Sequence, residues 1–185
     1  MSDAAASPVG LARTFLFVPG DRPERLARAL ASGAGAVIVD LEDAVAPERK
    51  AEARVLVEQG FAGLPAMAHG RLLVRSNASD TAWHAEDLAL LGRLAVRGLL
   101  AGVVLPKAER AADLAALARA VGPAVALLPL IESVAGLDAV VLALNSFSPS
   151  TPVGPPAIPA TIPNGSERIP TQSQGRIKPF RLPLS

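Results

Sequence analysis

Charged side chains follow several apolar runs of this 185-residue sequence, where a buried strand would end. These residues are Asp40, Glu42, Asp43, Arg75, Lys107 and Glu132. Converging carboxylates repel one another unless a cation lies among them, and oxygen-only ligands favour a hard ion such as Mg²⁺. An arginine fork also matches a substrate carboxylate. Together they could stabilise charge on an oxygen during carbon–carbon cleavage.

Five apolar runs are spaced at the length of a βα unit, and an amphipathic helical segment follows each of them. The runs cover residues 14–20, 36–43, 71–77, 102–107 and 125–133. They are continuously apolar, which is typical of a parallel sheet covered by helices. In such a sheet the charged residues at the strand ends share one edge.

The predicted fold class is α/β. Both a (β/α) barrel and an open doubly wound sheet fit the pattern, but the first turn, "VPGDRPER", holds one glycine and disfavours a dinucleotide-binding sheet. We therefore predict an incomplete TIM barrel with about five of eight βα units over residues 13–144. Residues 1–12 are predicted to be a flexible N-terminus. Residues 145–185 are proline-rich, and we expect an irregular, disordered tail there.

Several local features give more detailed expectations. Asp21 and Glu24 have capping-box spacing, and Gly60 is a plausible end for the second helix. His69 and His84 lie outside the strand ends, so surface positions are expected for both.

A structural alternative stays open for each site candidate. Glu132 could form an ion pair, Arg75 could neutralise the acidic cluster, and Lys107 could be an internal counter-ion. Glu42 and Asp43 could instead stabilise the start of the helix that follows them.

Composition excludes several classes of function. The net charge of +1 is spread without a basic block, so nucleic acid is an unexpected partner. The absence of cysteine excludes disulfides, thiol catalysis and thiolate metal sites. We find neither a signal peptide nor an apolar run of the roughly 20 residues needed to cross a bilayer. A cytoplasmic protein without membrane contact is expected.

Five segments resemble, in order and spacing, the HpcH/HpaI aldolase and citrate lyase β-subunit family. They are "RTFLFVPGDRPERLARAL", "GAVIVDLEDAVAPERKAEAR", "LLVRSN", "GVVLPKAE" and "LLPLIESVAGL". The resemblance is nearest to the citrate lyase β-like and malyl-CoA lyase branch. It implies a Mg²⁺-dependent TIM-barrel lyase that acts on CoA thioesters of hydroxy acids, such as citryl-CoA or malyl-CoA. The family also includes malyl-CoA thioesterases.

The resemblance assigns roles to single positions. It implies that Glu132 binds the metal and that Arg75 binds the substrate carboxylate, with the acidic pair near the metal and its waters. Arg13 and Arg25 would lie towards CoA. The predicted set is catalytic Glu42, Asp43 and Lys107, substrate-binding Arg75, Arg13 and Arg25, and metal-binding Glu132.

The sequence departs from the family after Leu144. There the family has a sixth strand of the type L-x-F-G-x-x-D, whose aspartate is the second metal ligand, and this chain has nothing similar. A C-terminally truncated or frameshifted lyase with weak or no activity is therefore expected. The alternatives are a non-catalytic half-barrel that binds acyl-CoA or carboxylates, and an enzyme completed by a homo-oligomer or by other subunits.

Overall fold

The chain folds around a five-stranded parallel sheet, in which the strands lie side by side in sequence order. A computed structural model describes residues 9–146, and the side chains of residues 9–140. Residues 147–185 of the predicted tail and residues 1–8 of the predicted flexible N-terminus lie outside this range, whereas residues 145 and 146 belong to the last helix. The strands are β1 (Phe15–Pro19), β2 (Ala36–Asp40), β3 (Leu72–Arg75), β4 (Gly102–Leu105) and β5 (Ala126–Pro129). The α/β class and all five predicted strands are thus confirmed.

Helices connect the strands, and two of them begin with a short 3-10 turn that contains proline. They are α1 (Leu26–Ala31), α2 (Lys50–Ala62), α3 (Ala66–His69), α4 (His84–Val96), α5 (Ala111–Val121) and α6 (Val134–Ser146). The four-residue α3 was not predicted because it is too short to show a helical period. No helix within residues 9–146 has the length and apolar character that a membrane crossing needs.

The main core lies between the sheet and its helices. Side chains alternate between the two faces of a strand, so Val37, Val39 and Val74 face the helices. There they meet Phe61 of α2 and Leu94 of α4, both fully buried. Truncation of a buried phenylalanine to alanine typically costs about 3–5 kcal/mol, so this layer supplies much of the stability that holds the strand ends in register.

The opposite face of the sheet carries a smaller apolar cluster. Ile38, Leu73 and Val104 alternate with the helix-facing residues and pack with Val9 from the segment before β1. Both faces of the central strands are thus covered, which explains why the runs read as continuously apolar.

Two local predictions about helix ends are wrong. Asp21 makes no capping hydrogen bond, because its carboxylate instead pairs with the guanidinium of Arg49 at the start of α2. Gly60 does not end α2, which continues to Ala62 and is followed by Gly63. A Cβ atom at Gly60 would lie only 3.0 Å from Leu26 Cδ1, so this glycine serves a close approach to α1.

The expected surface position of His84 is also wrong. His84 is buried at the start of α4, and its Nδ1 lies 2.9 Å from the Asn77 carbonyl oxygen. The chain after β3 folds back over the helix start and covers the ring. His69 is half-buried, with Nε2 3.0 Å from the Phe61 carbonyl oxygen.

Candidate functional site

The site is built around a pair of residues that the sheet register places side by side. Asp40 ends β2 and lies opposite Arg75, which ends β3. Arg75 donates to both Asp40 oxygens, from Nε at 2.8 Å and from Nη2 at 2.6 Å. The same carboxylate accepts the backbone N–H groups of Glu42 at 2.9 Å and Ala44 at 3.1 Å. Asp40 is 2% exposed, and its hydrogen bonds hold the turn after β2. The strand therefore ends at Asp40, three residues before the predicted limit.

Arg75 also faces the two acidic residues of that turn. Nη1 lies 3.1 Å from Glu42 Oε2, and Nη2 lies 3.3 Å from Asp43 Oδ2. The guanidinium also stacks 5.2 Å from the Phe17 ring centroid. Hydrogen bonding to Asp40 raises the pKa of Arg75, and burial only partly opposes this. Arg75 therefore neutralises the acidic turn. These contacts are the ones expected if Arg75 has the structural role that the sequence left open.

Lys107 links the acidic turn to the end of β5. Its N–H donates to Glu132 Oε1 at 2.9 Å, and its Nζ donates to Glu42 Oε1 at 3.4 Å. The hydrogen bond to Glu42 raises the pKa of Lys107. Its φ of 47° lies in the left-handed region, which costs a residue with a Cβ atom about 1 kcal/mol. That backbone conformation directs the N–H towards Glu132, so local strain accompanies the link.

Glu42 has spare acceptor capacity although its side chain is almost buried. Its side chain is 10% exposed, and burial raises its pKa, while Arg75 and Lys107 oppose the rise. Oε2 is buried without a hydrogen bond in the described part of the chain. The Arg75 contact at 3.1 Å is therefore an ion pair whose N–H groups are not aligned with this oxygen. Such an oxygen can take a proton or a further ligand.

The predicted metal ligand Glu132 and the acidic residue Asp43 both lie at the surface. Glu132 is exposed, and the Asp43 side chain is 77% exposed. Across residues 9–146, no three His, Cys, Asp or Glu side chains form a group able to hold a metal ion. Lys107 donates a hydrogen bond to each of Glu42 and Glu132, from its Nζ and its backbone N–H respectively. The donors are hard oxygens that suit Mg²⁺ in kind, but water and substrate would have to complete its shell.

Two predicted substrate-binding arginines lie apart from this cluster. Arg13 is exposed just before β1, at the amino edge of the sheet, opposite to the edge that carries Asp40. Arg25 is exposed in the 3-10 turn after β1. It lines an open cavity of about 450 Å³ together with Phe17 and Arg28. The structure brings neither arginine into contact with Arg75 or Glu42.

Lys50 supports the site from beneath and was missed in the sequence. Its Nζ donates to the carbonyl oxygens of Leu41 at 2.7 Å and Glu42 at 2.8 Å, and lies 4.9 Å from the Trp83 ring centroid. The residue is 5% exposed, and this burial lowers the pKa of the ammonium group. The signal was present, because Lys50 shares a helical stripe with buried Ala53.

A second buried network fixes the chain after β3. Asp87 is fully buried and accepts Arg54 Nε at 2.8 Å. Its other oxygen accepts both the backbone N–H and the side-chain amide of Asn77 at 2.7 Å. Arg54 also donates to the Trp83 carbonyl oxygen at 3.2 Å. The segment that follows Arg75 is therefore held against α2 and α4.

The fold and the cluster define an α/β protein whose functional groups gather at the carboxyl ends of parallel strands. Residues 13–146 match the family described as HpcH/HpaI aldolase/citrate lyase, and the chain belongs to that family. The resemblance seen in the sequence is confirmed.

Named relatives cover more than one activity. The chain is 35% identical over 125 residues to the (3S)-malyl-CoA thioesterase of Cereibacter sphaeroides, which covers 68% of this chain and 42% of that protein. It is 38% identical over 109 residues to the L-malyl-CoA/beta-methylmalyl-CoA lyase of the same species, covering 58% and 33%. The chain thus spans less than half the length of these curated relatives.

Solved structures agree with the family and the fold. The citrate lyase beta subunit of Mycobacterium tuberculosis, complexed with oxaloacetate and magnesium, superposes with a TM-score of 0.54 at 39% identity. That match covers 68% of this chain and 50% of the other. The protein CitE of the same organism, in complex with magnesium, acetoacetate and coenzyme A, matches with the same TM-score and identity over 68% and 42%.

Proposed function

We propose that this chain carries part of the site of a Mg²⁺-dependent carbon–carbon lyase of the citrate lyase β or malyl-CoA lyase type, acting on CoA thioesters of hydroxy acids. The observation that carries the proposal is the cluster at the carboxyl edge of the sheet. Glu42, with its raised pKa, lies between Arg75 and Lys107, and Lys107 joins it to Glu132. The named lyases and the magnesium complexes among the relatives support it.

We further propose that the sheet forms five consecutive units of a (β/α)₈ barrel, with residues 13–144 as the lyase domain. The strands follow sequence order and are all parallel, as in a barrel wall. Phe15 and Phe17 of the edge strand β1 are partly exposed, as expected for residues that would face a barrel interior.

Glu132 would hold the magnesium ion, with Glu42 and Asp43 contributing through water. A bound Mg²⁺ would polarise a carbonyl or carboxylate oxygen of the substrate. Mg²⁺ commonly keeps several waters and takes one or two protein carboxylates, so this donor set suits an ion whose remaining ligands come from the substrate.

The chain's own residues supply binding and proton transfer. Arg75 would bind the carboxylate of the acid portion by exchanging its contact with the exposed Asp43 for the substrate. Glu42 would accept the proton of the substrate hydroxyl as the carbon–carbon bond breaks. The bonding electrons would pass to the departing thioester enolate, whose carbon would take a proton from solvent, and protonated Glu42 would return its proton to solvent. The raised pKa of Glu42 suits this role, because a base works best when its pKa lies near the working pH.

The test is the turnover of malyl-CoA by the full chain with and without Mg²⁺, with acetyl-CoA and glyoxylate measured together. Glu132→Gln should abolish the metal-dependent rate. Asp138→Asn is the matched control, because it removes another exposed carboxylate, which lies on α6. Equal metal-dependent rates in Glu132→Gln and wild type would contradict the proposal, whereas a wild type without products would show that this part of the site does not suffice for turnover.

A thioesterase is the second candidate, because relatives with that name match this chain over 68% of its length. Hydrolysis of malyl-CoA releases free CoA thiol and malate, whereas cleavage releases glyoxylate. A thiol assay beside the glyoxylate assay therefore separates the two activities. Binding of malyl-CoA in calorimetry that Arg75→Met abolishes, with neither product formed, would instead support the non-catalytic half-barrel.

A further inference from the structure

The acidic turn after β2 is held from two sides. On one side, the Asp40 carboxylate accepts the N–H groups of Glu42 and Ala44. On the other side, the Lys50 ammonium group donates to the carbonyl oxygens of Leu41 and Glu42. The backbone of Glu42 is therefore fixed through both its N–H and its carbonyl oxygen, each by a charged partner.

Lys50 also connects this turn to the segment that follows β3. Its ammonium group lies over the ring of Trp83, and the Trp83 carbonyl oxygen accepts a hydrogen bond from Arg54. Arg54 is bound in turn by the fully buried Asp87. One buried cation thus touches the turn that carries Glu42 and the anchored segment that begins two residues after Arg75.

Burial of the Lys50 ammonium group costs desolvation free energy, and apolar packing of the side chain alone does not offset that cost. A lysine is rarely buried without a partner, and burial lowers the pKa of this one. Its three donors meet two carbonyl oxygens and an aromatic face, and none bonds a carboxylate. An apolar residue would fill the space with less desolvation but would leave both carbonyl oxygens without this donor.

We propose that Lys50 is a positioning residue, which fixes the Glu42 carboxylate between Arg75 and Lys107 by holding the backbone of its turn against Trp83. Its role in turnover rests on the proposed function above, whereas its effect on the turn does not. Lys50 forms no hydrogen bond with the side-chain oxygens of Glu42, and its two hydrogen bonds to the turn go to backbone carbonyl oxygens.

The first experiment measures amide hydrogen exchange of the full chain by mass spectrometry in wild type and Lys50→Met. Loss of the charged donor should accelerate exchange in residues 41–45 about tenfold, without a change in α4 and α5. Arg71→Met is the matched control, because Arg71 donates to backbone carbonyls of Ala34 and Gly35 at the opposite edge of the sheet. Unchanged exchange in residues 41–45, or equal acceleration along the whole chain, would overturn the proposal.

Chemical rescue then tests the ammonium group itself. The natural chain has no cysteine, so Lys50→Cys carries a unique thiol. Alkylation of the unfolded protein with bromoethylamine restores an ammonium group at the length of lysine, and alkylation with bromoethanol gives an uncharged group of equal length. The aminoethyl form should regain wild-type exchange in residues 41–45 after refolding, and the hydroxyethyl form should not. Equal exchange in the two forms would overturn the proposal, and this comparison decides it if Lys50→Met fails to fold.

Turnover supplies the readout that a purely structural role would not change. If the full chain cleaves malyl-CoA, Lys50→Met should lower kcat about tenfold or more while KM stays within about twofold, since Lys50 touches no substrate group. The aminoethyl form should recover kcat. A rise in KM with an unchanged kcat would overturn the positioning role. A wild-type chain without turnover would show that this part of the site does not suffice for the proposed reaction, whereas hydrogen exchange would still decide whether Lys50 holds the turn.

Discussion

The pair formed by Asp40 and Arg75 makes a strong prediction for stability. Arg75→Met removes the guanidinium and keeps a side chain of similar length. Asp40, 2% exposed, then loses two hydrogen bonds of 2.8 and 2.6 Å and keeps only its two backbone donors. Glu42 loses the ion pair at 3.1 Å in the same substitution.

The size of the effect follows from burial. The Arg75 side chain is 12% exposed and that of Asp40 is 3% exposed, so solvent screens the pair only weakly. Removal of one partner from a buried ion pair leaves an uncompensated charge and typically costs about 3–5 kcal/mol. Because Asp40 retains two donors, we expect the lower end, about 3 kcal/mol.

Urea denaturation of wild type, Arg75→Met, Asp40→Asn and the double variant measures this coupling. The double variant should be more stable than the sum of the single losses predicts, by about 2 kcal/mol, because it leaves neither charge unpaired. The midpoint should shift with an unchanged slope if the native fold is kept.

A loss below about 1 kcal/mol in Arg75→Met, with a coupling near zero, would refute this reasoning, since exposed pairs give values in that range. Asp40 would then be held by its turn amides alone, and Arg75 would be available for a ligand without cost to the fold.

Three further predictions concern the surroundings of the pair. Burial raises the pKa of Glu42 above 4.5, so the contribution of Glu42 to stability is complete below that pH and is lost as pH rises through the folded pKa. Glu42→Gln should therefore raise the free energy of unfolding at neutral pH. The same substitution should weaken the decrease of that free energy with rising pH, measured by urea titrations. Asp87→Asn weakens the fully buried pair with Arg54 and should cost about 3 kcal/mol in the same assay. Gly20→Ala places a Cβ atom 2.8 Å from Leu41 Cδ2 and should lower stability by about 1–3 kcal/mol, measured by thermal unfolding.

Much of the fold was predictable because its signals are local. The apolar runs identified all five strands, and Gly122 ends α5 with a φ of 76°, as its position after Val121 suggested. The strand ends were placed too late, since side-chain bonds such as those of Asp40 end the ladder and no periodicity shows them. The capping box failed for a similar reason, because Asp21 is taken by Arg49 from a distant turn.

The site was predictable in its members but less so in its contacts. Asp40 and Arg75 become neighbours through strand register, which the order of βα units indicates. The sequence left open whether Arg75 and Lys107 would pair with the carboxylates or bind a ligand, and the structure places both of them against Glu42. Lys50 and Arg54 were missed because charged residues in a helix are first read as solvent-facing. Their spacing with Val57 and Phe61 was the available signal.

The sequential order of the strands has a consequence for how the protein is made. Each strand pairs with its predecessor in the chain, so the sheet can grow by one βα unit at a time as the ribosome releases it. Asp40 and Arg75 are only 35 residues apart, and their bond can close before β4 and β5 exist. Glu132 is synthesised after all five strands, when Asp40 and Arg75 can already be paired at the carboxyl edge of the sheet. The order of synthesis therefore allows the acidic turn to pair with Arg75 before Lys107 and Glu132 are added.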